Sequence, residues 1–482
     1  MNHATRQPAP PFRHGIIRNR PRTHHSVSSA LMLLVLSGSS AMGQLVPAPP
    51  ASADRPALVV VLVVDQLRYD LMHRYEDLYT GGLRRLLDGA AVTAATHDHG
   101  ITETSPGHAT LATGTYPSRH GIVANQWFDS SKGAWTYAVE DPSTRLTGTR
   151  FEGSSPHFLL RGGLADWLRA ADPDSRTASV SAKDRAAILI GGRGTGPVMW
   201  FEPAVGEFVT STFYADEVPG WLAEFNAAHR DAWAADSVWT SRLPPSATVR
   251  TRPDTSSFEG DGVHTSFPHR FHEEGSMGSL AGEGLGETSG FFDWFATTPS
   301  LDEAVLDLAV ATVLAEHLGQ DAHTDLLSIS LSQTDRVGHA YGPLSREQMD
   351  TLLRLDAALG DFFGFLDETV NGGWLLGMSA DHGVSNIPEL DARSDEGVQE
   401  RLKPEERVEM LRGIVDALEN RREGAPARVV AEAAARSPYV HRAWVLGEAA
   451  AEEDSLGIFM QRSFLAGRPG RIEGRFGIAV AF

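Results

Sequence analysis

Residues 57–65 read ALVVVLVVD. Eight apolar residues follow one another without alternation, five of them valine, and the run stops at an acid. A β-branched stretch that is apolar on both faces is the signature of a strand inside a parallel sheet, covered above and below. Asp65 then stands at the carboxyl end of that strand, the edge at which open α/β sheets hold their ligands. The pattern recurs three times. TASVSAKDR (177–185) is a strand running into charge, TDLLSISLSQTD (324–335) ends in Asp335, and GGWLLGMSADHG (372–383) ends in Asp381 and His382. Helical periodicity occupies 301–319, 345–370 and 404–420. Strands alternating with helices of this length predict an α/β domain with a mostly parallel central sheet and helices on both faces. Residues 200–300 depart from it, being rich in Trp, Phe, Gly, Ser and Pro with little periodicity, and are expected to form an inserted cap on the substrate side. There is no internal repeat.

The chain of 482 residues suits one large domain with an insertion. Its first 43 residues carry Arg13, Arg18, Arg20 and Arg22, then the apolar SALMLLVLSG and the small residues AMG before Gln44, the order of an export signal. That apolar run is well short of the roughly 20 residues a membrane span needs, and no later stretch is long enough either. Residues 44–56 form a Pro/Ala linker, so the catalytic domain is expected over 57–482, in the periplasm or outside the cell. The formal charge is −20, and the signal holds five Arg and no acids, so the remainder is near −25. Nucleic acid and anionic membrane are poor partners for such a surface. There are no cysteines, which excludes disulfides, cysteine lipidation and a thiol nucleophile.

Asp65, Asp335 with His339, and Asp381 with His382 are oxygen and nitrogen donors of the kind that bind zinc. Asp335 and His339 are four apart, so one helical turn puts both on one face. Acids at strand ends cap helices more often than they bind metal; the weight lies in their joint placement at one edge of one sheet. The stretch ITETSPGHATLATGTYPSRHGI (101–122) raises a second question. Thr102, Thr104 and Ser105 precede Pro106, a favoured first-turn residue, and Gly114 closes the helix. A hydroxyl there meets free backbone N–H groups and the positive end of the helix dipole. Those features account for a helix cap, and equally for a stabilised alkoxide or phosphoryl group.

The chain resembles the alkaline phosphatase superfamily, in particular its exported PafA-type phosphate monoesterases. The resemblance rests on VVVLVVDQLRYD, GGLRRLLDGA, TSPGHATLATGTYPSRHGIVANQWFD, SAKDRAAI, SISLSQTDRVGHAYGP, RLDAALGDFFGFLD and SADHG, in the family's order across most of 57–385. It implies that Thr104 is the nucleophile that becomes phosphorylated, with Ser105 the lesser candidate. It implies two zinc ions. Asp65, Asp381 and His382, with Thr104, match the ligands of one, and Asp335 and His339 match ligands of the other, on the leaving-group side. Asn125 matches an amide that holds a phosphate oxygen, and Lys183 with Arg185 a cationic pair that grips the others. Two metals stabilise the entering and leaving oxygens of an in-line displacement, and phosphoryl transfer asks mainly for position and positive charge. Lys183 and Arg185 are two apart, so on an extended segment they point the same way. A dianionic monoester rewards that pair more than a diester does, and the related nucleotide pyrophosphatases and phosphodiesterases lack it. The expected substrate is a small phosphate monoester and the expected assembly a monomer or dimer, with a phosphodiesterase, or an inactive remnant holding phosphate or one metal, as the alternatives.

The family pattern supplies a third ligand to the leaving-group zinc, a histidine in a C-terminal GTxHGSPYxYD motif that has no counterpart here. The chain ends FGIAVAF, which reads as a strand, so its C-terminal part is expected to be incomplete. His441, in SPYVHRAW, matches a different part of the pattern and is expected to be a core or surface histidine.

Overall fold

The computed structural model describes residues 55–464 and 478–481, apart from 91, 130–131, 195, 236, 275–289, 391–401, 422–425 and 446–453. The expected signal and nearly all of the linker, 1–54, lie outside the described residues.

Among the described residues six strands form the central sheet: β1 Leu58–Val64, β2 Thr177–Ser181, β3 Val198–Glu202, β4 Glu207–Val209, β5 Asp325–Leu331 and β6 Trp374–Ser379. Their order across the sheet is β6-β1-β5-β2-β3-β4. Every neighbouring pair is parallel except the β3–β4 hairpin. Four of the strands are the four apolar runs expected from the sequence.

The side chains of β1 show why the run does not alternate. Leu58, Val60, Leu62 and Val64 enter one core cluster with Leu301, Leu308, Leu355 and Leu359. Val63 points the other way, against Ala112 and Ile190. Both faces are therefore covered by helices, α1 Thr104–Thr113 and α2 Asp184–Gly191 on one, α3 Ser300–Ala315 and α5 Arg346–Thr369 on the other. A further helix, α4 Gln333–Tyr341, leads straight off β5. Fully burying one Leu or Val contributes roughly 1.5–3 kcal/mol, so a strand with five almost fully buried side chains is a strong register lock.

The region 200–300, expected as an inserted cap, begins inside the central sheet, because β3 ends at Glu202 and β4 follows. Its aromatic residues build core: Phe201, Phe208, Phe225, Trp233, Phe292 and Phe295 pack in one cluster. Aromatic packing of this kind has no fixed sequence period, so the composition suggested a separate unit where the chain continues the sheet.

Beyond it, the insertion is tied to α4 by a buried ionic network. His269 places Nδ1 3.1 Å from Glu274 Oε1 and Nε2 3.2 Å from Glu347 Oε1, while Tyr341 of α4 puts its hydroxyl 3.2 Å from the same Nδ1. Burial favours the neutral ring, but hydrogen bonds to Glu274 and Glu347 outweigh it and raise His269 to about 9. A group whose folded-state pKa lies above its unfolded value near 6.5 stabilises the fold fully below that value and ceases to as pH climbs through 9. The melting temperature is therefore expected to fall between pH 7 and pH 10, with a shallower fall in His269→Gln; identical slopes by calorimetry would refute this role.

At the carboxyl end of the chain, Ile478–Ala481 pairs antiparallel with Arg442–Val445, outside the central sheet. His441, at the start of the latter strand, is exposed.

Candidate active site

Parallel strands deliver their carboxyl ends to one edge, and the candidate residues all leave from that edge. Asp65 follows β1, and its backbone N–H donates to Leu331 O at 2.9 Å, which locks the end of β1 to the end of β5. Asp335 lies in the first turn of α4, four residues past the end of β5, and Asp381 and His382 follow β6. One atom each from Asp65, Asp381 and His382 lies within 4.8 Å of the other two, and all three residues are buried. His382 Nε2 is 3.3 Å from Asp65 Oδ1 and 3.7 Å from Asp381 Oδ2. Asp335 adjoins this group: its Oδ1 is 3.9 Å from His382 Nε2 and 3.1 Å from His339 Nε2. His339 is more than half exposed, so it borders the site from the solvent side.

Three buried carboxylates this close demand compensating charge. Burial and Asp65 push Asp335 up, yet Lys183 and His339 hold it at about 2. Burial likewise opposes ionisation of Asp381, but His108 and His382 keep it well below the usual carboxylate range. Desolvation pulls His382 down while Asp381 and Asp65 raise it to about 10. Asp65 Oδ1 and Asp381 Oδ2 are buried and met only by imidazole nitrogens, His382 Nε2 at 3.3 Å and His108 Nδ1 at 3.0 Å, so neither oxygen is covered by a backbone or hydroxyl donor. The donor set, two carboxylates and an imidazole with one atom of each inside 4.8 Å of the others, fits a zinc ion. Asp172, Asp174 and His323 also cluster, but at the amino-terminal end of β2 and β5, partly exposed, with His323 bonded to Asp172 at 2.8 Å as an ordinary ion pair.

Thr104 opens α1, with Glu103 at the N-cap making no side-chain cap bond. The hydroxyls of 101–122 thus do not cap the helix; Thr104 lies within its first turn, buried. Helix and strand end meet at Gly107, where a Cβ would come within 2.3 Å of Asp381 O. His108 stitches the same junction, with Nδ1 2.9 Å from Thr104 O and 3.0 Å from Asp381 Oδ2, and Nε2 2.8 Å from Ser330 Oγ on β5. Asn125 faces the helix terminus, its Oδ1 accepting from Ser105 N at 2.8 Å while its own N–H donates to Glu103 at 2.6 Å.

Lys183 and Arg185 differ from expectation. They do not sit together on an extended segment, because Asp184, an acid suited to a helix N-terminus, starts α2 between them. Lys183 sends Nζ to Asp65 Oδ2 at 3.0 Å and to Asp335 Oδ2 at 2.5 Å. Arg185 turns to the Tyr137 hydroxyl at 3.3 Å, which in turn donates to Asp184 at 2.6 Å.

The profile of the type I phosphodiesterase / nucleotide pyrophosphatase family matches residues 59–446, most of the chain and every candidate residue. The chain belongs to this family. Among curated relatives, alkaline phosphatase PhoV of Synechococcus elongatus is 37% identical over 70% of this chain and 61% of its own length. Alkaline phosphatase PafA of Elizabethkingia meningoseptica is 36% identical over 69% of this chain and 60% of its own length. The chain therefore spans about three fifths of these relatives. A crystal structure of wild-type alkaline phosphatase PafA superposes with a TM-score of 0.74 at 28% identity, covering 88% of this chain and 85% of that one. The fold is thus that of the PafA-type members of the alkaline phosphatase superfamily.

Within this family member the structure adds residues that sequence reasoning did not reach. His108 lies inside the TSPGHATLAT stretch without a role that the sequence alone assigns. Gln66, Ser330, Tyr137 and Asp184 carry no motif of their own, since each acts through a partner distant in sequence. Gly107 does carry a signal, a glycine inside a helix one turn after the hydroxyls. Gly→Ala inside a helix ordinarily stabilises by about 1 kcal/mol. Here the added methyl must displace Asp381, so Gly107→Ala is expected to lower the melting temperature; a more stable protein would refute the close junction.

Proposed function

We propose that this chain is an exported, zinc-dependent hydrolase of small phosphate monoesters that works through a phosphothreonine at Thr104. The observation that carries the reading is the buried Asp65–Asp381–His382 cluster at the start of the helix that Thr104 opens. Asp65, Asp381 and His382, with Thr104, would hold one zinc, and Asp335 with His339 the other. The metals supply positive charge that favours the threonine alkoxide and the departing oxygen.

The protein's own groups place the phosphoryl group. The amino terminus of α1 offers backbone N–H groups and the positive end of its dipole to an anion. Ser105 N–H donates to Asn125 Oδ1, so the amide nitrogen is the end left to face an acceptor oxygen. Arg185 presents a guanidinium beside the Tyr137 hydroxyl, and Lys183 adds an ammonium between Asp65 and Asp335. Thr104 Oγ1 bonds to phosphorus as the ester P–O bond breaks and the alcohol leaves with a proton. Water then attacks the phosphothreonine, breaks the new P–O bond and regenerates the hydroxyl with release of inorganic phosphate. These steps need position and charge rather than covalent chemistry from other side chains.

Support for a phosphatase comes from the relatives named alkaline phosphatases, and support for monoesters from two buried cations in a chain this acidic, Lys183 at the Asp65 and Asp335 carboxylates and Arg185 two residues on. The family description names phosphodiesterases, which makes a diesterase the second reading. Turnover of an aryl phosphate monoester against the matching diester separates them, and diester preference would defeat the proposal. Thr104→Val is expected to abolish turnover while leaving zinc bound; undiminished activity would refute the nucleophile. Arg185→Ala is expected to lower monoester kcat/KM about 10–100-fold, the loss of one or two hydrogen bonds to a charged group, and to affect diesters less. Equal loss on both would remove the basis for monoester preference.

A further inference from the structure

We infer that Gln66 is a positioning residue for both metal-ligand groups, and that its side chain sets the leaving-group side. This rests on the two-metal reading of the site. Gln66 is buried, follows Asp65 directly and takes a left-handed backbone, φ 65°, a conformation that non-glycine residues rarely adopt. That turn aims two donors of one residue at two different carboxylates. The backbone N–H donates to Asp381 Oδ1 at 3.1 Å, and Nε2 donates to Asp335 Oδ1 at 2.7 Å.

The orientation of the amide is decided by its partner. Asp335 Oδ1 also faces His339 and accepts only, so Nε2 must point at it. Oε1 is thereby sent the other way, where it is buried without a hydrogen-bond partner. It lies against Gly338 of α4, where a Cβ would come within 2.1 Å of it. Gly338 stands between Asp335 and His339 in sequence, and only a residue without a side chain leaves Gln66 its place.

Three unfavourable features meet here: a left-handed glutamine, an unpaired buried carboxamide oxygen and a glycine inside a helix. An unpaired carboxamide oxygen alone is shared with the buried Gln333 and Gln348; it is the combination with the left-handed backbone and the facing glycine that sets Gln66 apart. What the three features have in common is a fixed Asp335 carboxylate, with Oδ1 held by Gln66 and Oδ2 by Lys183. Strain and unsatisfied groups of this kind concentrate where a site is held in a set geometry. Residues that orient metal ligands through a hydrogen bond typically change metal affinity 10–100-fold when lost.

The test is zinc titration of metal-stripped full chain against a competing chelator, with crystal structures of the zinc-loaded variants. Gln66→Met keeps the length and the backbone N–H but has no side-chain donor. Its zinc at Asp335 and His339 is expected to bind 10–100-fold more weakly, with Asp335 turned from its wild-type place and the zinc at Asp65, Asp381 and His382 changed less than threefold. Gln66→Gly suits the left-handed backbone and keeps the N–H on Asp381, so it is expected to show the same selective loss without a lower melting temperature, and it carries the test if Gln66→Met does not fold. Unchanged affinity with Asp335 unmoved overturns the inference. An equal loss at both positions, together with a lower melting temperature of zinc-free Gln66→Gly, assigns Gln66 to folding and also overturns it. Wild-type protein that takes up no zinc at Asp335 overturns the two-metal reading along with the inference, whereas normal wild-type uptake with normal variant uptake overturns the inference alone.

Discussion

Negative charge gathered at one sheet edge is the constraint on which the rest of this structure depends. Asp65, Asp335 and Asp381 are buried within contact of one another or of a shared imidazole. Two unit charges 4 Å apart repel by about 4 kcal/mol even at an effective dielectric of 20. Such a group persists only if every oxygen is met by a cation, a donor or a metal. Lys183 bridges two of the carboxylates, His339 and His382 lie against them, and Gln66 and His108 reach in from the strand end and from α1.

The fold serves this charge through its parallelism. Strands β1, β2, β5 and β6 run the same way, so their next residues emerge side by side: Asp65, Lys183, Asp335, Asp381 and His382. The helices that follow start at that edge with their positive ends toward the carboxylates. The insertion meets the end of α4 through the Tyr341 hydroxyl on His269, and the same imidazole pairs with Glu347 of α5, so the helix that bears Asp335 and His339 is held at both ends. At its start, Asp302 accepts from the backbone N–H groups of Ser332 and Gln333. Burial raises that carboxyl to about 7 against those hydrogen bonds, so it stands close to the boundary between its two charge states near neutrality.

Much of this was legible in the chain before folding. An uninterrupted valine-rich run has one comfortable location, inside a parallel sheet, and an acid directly after it has one end of that sheet. The pairing of Asp335 with His339 follows from helical spacing alone. The strands β3 and β4 were not legible, because their aromatic residues carry no strand period and their neighbours are rich in Gly and Pro. The Lys183–Asp184–Arg185 order was misread as an extended segment; the acid in the middle starts a helix, and that outcome depends on how tightly α2 packs against β2 and α1.

Local sequence thus determined what depends on neighbouring residues: the apolar strands, the helix lengths, the acids at the strand ends and the hydroxyl at a helix start. Only the tertiary structure decided which groups answer which charge. Gln66 turns left-handed because Asp381 and Asp335 accept from it, Lys183 leaves Arg185 because two carboxylates lie within its reach, and Gly107 and Gly338 are needed because other chains of atoms pass where their side chains would be. Those choices are made by atoms hundreds of residues apart, brought within hydrogen-bonding distance by a sheet whose order no local pattern encodes.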